Sequence, residues 1–152
     1  MTKALLAVHV LAAIITVGPV TVAASMFPPS ARRAMAGDGA EVGQLRTLHR
    51  ICRVYALVGL VVPMFGLATA ANLGILGETW LIVSIVLTAA AAAVLALLVL
   101  PRQHLILAGL SAAPEPDARL ATRLAMHTGM FNLLWATVTV LMIIRPGSTT
   151  NV

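Results

Sequence analysis

Four histidines, one cysteine and five carboxylates are the side chains of this 152-residue chain best suited to acid–base chemistry or metal ligation near neutral pH. His9 lies inside an apolar run. An ionisable side chain in that setting is a functional candidate by default, and an axial haem or metal ligand is the sharpest role for it. His127 stands at the start of another apolar run, while His49 and His104 lie in basic segments. None of the four forms the i, i+4 histidine pair of a helical metal site. Antiparallel helices would leave His9 and His127 about 15 Å apart in depth, too far to share one metal or haem. The plain alternative for each histidine is a hydrogen bond to a neighbouring helix. Cys52 stands alone, so neither an internal disulfide nor an all-cysteine metal centre exists.

Two further groupings carry chemistry. His127, Phe131 and Trp135 are spaced i, i+4, i+8 and fall within an arc of about 80° on a helix, with Asn132 beside them. An amide at that depth needs a partner, so this face is expected to look into the bundle. It reads either as core packing or as a pocket for an isoprenoid, a quinone or a porphyrin edge. The second grouping is Arg46, His49, Arg50 and Arg53, which share one helical arc opposite Leu45, Leu48, Ile51, Cys52 and Tyr55. Such an arc suits anionic lipid headgroups, or a phosphate or propionate held bidentately by arginine.

What is missing narrows the classes. No Asp or Glu falls in an apolar run; Asp38, Glu41, Glu78, Glu115 and Asp117 all lie between runs. An ion-coupled carrier ordinarily needs a carboxylate within the membrane. Paired catalytic carboxylates, a nucleophile motif and a glycine-rich phosphate loop are absent too, which argues against a self-contained enzyme.

The elements that must position these residues follow from composition. The chain is 60% hydrophobic and 10% charged, with a mean hydropathy of +0.99. A soluble globule of that make-up would expose too much apolar surface to stay dispersed. Four apolar runs, at residues 4–26, 53–71, 80–100 and 124–144, each match the ~20 residues that cross a bilayer. Phe27-Pro28-Pro29, Asn72-Leu73-Gly74, Pro101 and Arg145-Pro146-Gly147 are expected to end them. The fold expected is all-α, one four-span membrane bundle.

Eight of the ten Lys and Arg residues fall in or at the edges of the first and third loops. The positive-inside rule then puts both termini outside and these two basic loops in the cytoplasm. The net charge of +5 is therefore a topology signal rather than a nucleic-acid face. Lys3 and Val22-Ala23-Ala24 also sketch a signal peptide, but cleavage would place the Arg-rich first loop outside. Trp80 and Tyr55 fit anchors at opposite interfaces. Gly66 and Ala89 read as close-packing positions between helices. Pro19 frees the carbonyl of Ile15, so a kink is expected there, with Thr16 and Thr21 able to serve the freed group.

Leu6 to Gly18, read L-A-V-H-V-L-A-A-I-I-T-V-G, resembles the opening of a family of small integral membrane proteins of unknown function. Trp80 to Leu87, Leu100-Pro101-Arg102-Gln103 and Met142 to Pro146 resemble its third span, that span's exit and its closing residues. The histidine and glycine of the first span are also similar to those of copper-resistance-D-type membrane proteins and of the four-helix protoporphyrinogen oxidase that binds haem b. That resemblance implies a histidine-centred haem site near His9, although Ile14-Ile15-Thr16 stands where such spans often carry a tryptophan. The residues by themselves favour a non-catalytic accessory, scaffold or binding subunit of the cytoplasmic membrane without a cofactor. Its expected contacts are anionic lipid and other membrane subunits or further copies of itself. A haem- or metal-binding redox protein is the alternative.

Overall fold

The computed structural model describes residues 2–112 and 118–147, so Glu115, Asp117 and Ser148 lie outside it. Within the described residues every regular element is helical: α1 Thr2–Met35, α2 Ala40–Val58, α3 Val61–Leu73, α4 Thr79–Ala93, a π turn Val94–Val99, α5 Leu100–Ala112 and α6 Ala118–Ile144. These combine into four helices long and apolar enough to cross a membrane, Lys3–Met35, Ala40–Leu73, Thr79–Ala112 and Arg119–Ile144. The described residues are thus all-helical in their regular structure, with the four long apolar helices that suit a membrane protein. Large apolar side chains such as Leu97 (70% exposed), Leu133 (69%) and Ile143 (75%) cover the outer faces, as a protein solvated by lipid requires.

α1 packs along α2 and α3, the α4–α5 helix packs along α6, and contacts of α1 with α6 and of α2 with α5 close the bundle. The α1 register is antiparallel to α2 and α3: Arg33 meets Glu41, Ser30 meets Gln44, and His9 meets Val62. Small residues line that seam. Ala23, Ala24, Ala31 and Ala34 are buried with Phe27, Leu45, Leu48 and Cys52 in the main core.

The helices overrun the expected ends. Spans of 33 or 34 residues are about 50 Å long, against about 30 Å of hydrocarbon, and the excess lies at the arginine-rich end. α1 continues through Pro28-Pro29 to Met35. The prolines remove two helix donors, but Phe27, Pro28, Ser30, Ala31 and Ala34 are buried, and their packing outweighs the local penalty. The chain turns only at Ala36–Gly39, where Gly37 takes φ +100°. α1 also runs unbroken through Pro19; the Thr16 hydroxyl donates to the Ala12 carbonyl at 2.6 Å, not to that of Ile15.

Pro101 likewise fails to end its helix, and the π turn explains why. The Leu100 N–H donates five residues back to Leu95, so one extra residue is taken up just before the proline. The phase of the helix changes accordingly. Buried positions step by four through Ala91, Leu95, Val99 and Gln103, twelve residues where three α turns take about eleven. Ala89 is exposed, and Ala91 is the fully buried alanine; the expectation of close packing at Ala89 is off by half a turn. The second span bends at Gly59-Leu60. Pro63 cannot donate to the Gly59 carbonyl, which accepts from Val62 instead, in a tighter i→i+3 turn.

At the opposite end α3 closes on Gly74 in the left-handed region (φ +70°), with the Ile75 N–H donating to Ala70 at 3.1 Å. Ala70, Ile75, Trp80 and Leu81 form a second apolar cluster there. Trp80 is buried within it, with the Arg145 guanidinium 5.7 Å from its ring centroid.

Candidate functional site

The four histidines are not gathered. His9 is nine-tenths buried, and its Nδ1–H donates to the Val62 carbonyl at 2.9 Å. The bend before Pro63 brings that carbonyl to α1. The imidazole is pressed against Gly66: a Cβ there would stand 2.9 Å from His9 Cε1 and 3.2 Å from Nδ1. The glycine is needed for close approach, and the seam has no room for even one methyl group unless the ring moves.

His127 turns back onto its own helix, its Nδ1 bonding the Arg123 carbonyl. Asn132 on the same helix donates to Ser25 Oγ at 3.0 Å. With Ser25 and Asn132 level, His9 and His127 are about 30 Å apart along the bundle, twice the sequence estimate. Phe131 is buried in the core and meets Trp135 edge-on, centroids 6.4 Å apart. Phe131 and Trp135 thus belong to the interhelical core, whereas the half-buried His127 bonds only its own helix. Thr128 Oγ1 and Asn132 Oδ1, one turn apart, are buried there without a hydrogen-bond partner.

The third place is the arginine arc on α2. His49, Arg50, Arg53, Val54 and Leu57 line an open cleft of about 280 Å³. Arg46 belongs to the same helix but is not among the lining residues. Leu45, Leu48 and Cys52 on the opposite arc are buried, as the helical wheel requires. His49 Nδ1–H donates to Gln103 Oε1 at 3.0 Å, and Gln103 Nε2–H points to Cys52 Sγ at 3.5 Å. Gln103 is fully buried, so both ends of its amide are used between α2 and α5. The His104 ring stands 6.3 Å from His49. Sequence reasoning passed over Gln103; its signal is a lone amide among apolar residues, one turn beyond a phase change that only structure reveals. It also missed the contact of Ser30 with Arg33 and Gln44 at the α1–α2 turn.

Among the described residues no three His, Cys, Asp or Glu side chains are grouped to hold a metal ion. Compared with models of protein families, with curated proteins and with solved structures, the chain matches none.

Proposed function

We propose that this protein is a non-catalytic accessory, scaffold or binding subunit of the cytoplasmic membrane, working through helix–helix and lipid contacts. The observation that carries the reading is how the polar side chains along the helix seams are used. His9, Ser25, Ser30, Gln44, Gln103 and Asn132 each reach across to another helix rather than converging on one reacting centre. Extensive exposed apolar surface supports partners within the bilayer, either other subunits or further copies. The charge bias supports both termini outside and the Arg-rich turns in the cytoplasm. Cysteine labelling at Ala112 and Ser148 tests that orientation: only position 148 is expected to react in intact cells.

The second reading, haem b or a metal at His9, has one observation in its favour. Donation from Nδ1–H to a carbonyl leaves Nε2 with its lone pair, the tautomer that ligating histidines use. The rest of the residue set fits a haem poorly. His127 is about 30 Å away, and the ring is wedged on Gly66. An absorbance scan and metal analysis of the purified protein separate the two readings. We expect no Soret band and no stoichiometric metal; a chromophore lost in His9→Gln would replace the first reading with the second.

A further inference from the structure

We propose that the α2 cleft is a seat for one anionic phospholipid with a hydroxyl-bearing headgroup, of the phosphatidylglycerol class; this rests on the membrane reading above. The cleft is graded along the helix. His49, Arg50 and Arg53 form one end, and Val54 and Leu57 form the other. Arg50 to Leu57 spans about 10 Å, the step from a phosphate to the upper part of an acyl chain. Both arginines are exposed, and a guanidinium binds a phosphodiester through two parallel hydrogen bonds. The only carboxylate on α2, Glu41, is paired with Arg33 at 2.6 Å, two turns or more away. Among the described residues no ion pair is recorded for Arg50 or Arg53, so the cleft sets positive charge directly against apolar surface.

His49 adds selectivity. Its Nδ1 proton is held by Gln103 Oε1, so Nε2 of the neutral ring is an acceptor. A glycerol headgroup hydroxyl can donate to it; a choline headgroup has no donor, and phosphatidic acid has no headgroup alcohol. Gln103 is the positioning residue. The π turn rotates it inward, Cys52 holds its other end, and His49 is thereby fixed at the rim. π turns recur at functional sites for this reason: one extra residue re-aims a side chain.

The test uses the full chain, delipidated in mild detergent, with bound lipid read by native mass spectrometry. The probes are palmitoyl-oleoyl phosphatidylglycerol, the phosphatidylcholine and phosphatidic acid with the same chains, and sodium phosphate. One phosphatidylglycerol per chain is expected, retained at least tenfold better than phosphatidylcholine. Arg50→Gln with Arg53→Gln lowers its retention tenfold or more, and Arg50→Lys lowers it partially. Arg46→Gln, outside the cleft, changes it less than twofold. Gln103→Leu and His49→Phe abolish the preference for phosphatidylglycerol over phosphatidic acid while phosphatidic acid itself stays bound, a change that a purely structural role would not produce. Equal loss in Arg46→Gln would show a diffuse surface field and overturn the seat. Displacement of the lipid by equimolar phosphate would show a free-anion site and overturn it too. Helicity and the labelling pattern at Ala112 report on the four-span reading separately, so loss of lipid selectivity with both intact refutes the seat alone.

Discussion

His9 and His49 sit toward opposite ends of the second span's partnership with its neighbours, and both donate an Nδ1 proton across a helix seam. Their surroundings make them different. His9 meets a backbone carbonyl and lies on a glycine, so its environment depends on atoms being absent. His49 meets a side-chain amide that a third side chain holds, and it opens onto a cleft rimmed by arginines. The same residue type with the same kind of bond serves packing in one place and supports binding in the other. The groups met directly across each seam decide which.

The largest expected effect falls on the packing side. Gly66→Leu forces the His9 ring from its seat, and overpacking of this kind costs about 1–3 kcal/mol. Thermal unfolding in detergent should show that loss. His9→Ala should suppress part of it, with a coupling of about 0.5–3 kcal/mol expected for residues in direct contact. Strict additivity would break the comparison, because Gly66 would then be tight for some other reason.

Gln103→Leu comes next. It removes two interhelical hydrogen bonds from an otherwise well-packed position. The expected cost is about 1–2 kcal/mol, since each neutral bond nets about 1 kcal/mol. Nitrogen-15 NMR of His49 should show the loss of a fixed Nδ1–H tautomer; an unchanged tautomer would mean that Gln103 does not position the ring.

Smaller effects lie outside both sites and mark the background. Arg145 has φ +46° and stacks on Trp80. Arg145→Gly relieves roughly 1 kcal/mol of left-handed strain and loses a cation–π contact of about 0.5–1 kcal/mol, so its melting point should barely move, whereas Arg145→Gln should melt slightly lower. The Arg33–Glu41 pair, whose arginine is exposed, should matter least. Glu41→Gln should leave the melting temperature nearly unchanged, and high salt should shrink any difference further.

How far the sequence could be read differs between the two regions in the same way. Run lengths and charge alone give four spans, and the structure has four helices suited to crossing. The helical wheel places Arg50 and Arg53 opposite buried Leu45, Leu48 and Cys52, because α2 is a regular helix whose phase can be counted. His9 as an inward-facing residue is legible for the same reason. Gln103 is not, since it lies beyond a π turn that takes up an extra residue and that no residue pattern marks; Ala89 misleads because it stands in a run of alanines, of which only the packing picks out Ala91 as the buried one. Pro28, Pro29 and Pro101 mislead because they are punctuation only where tertiary packing does not override them. The bond from His9 to the Val62 carbonyl depends on α1 lying alongside and is invisible within the second span itself.

The contrast between the two histidine environments is tested most directly by the phosphatidylglycerol-dependent rise in melting temperature, measured side by side for His9→Gln and for the Arg50→Gln, Arg53→Gln double variant. His9→Gln should melt lower without lipid yet keep the full lipid-dependent rise. The arginine variant should melt like the parent without lipid and show no rise. A lipid-dependent rise that survives in the arginine variant, or disappears in His9→Gln, would contradict the division between a packing histidine and a binding one.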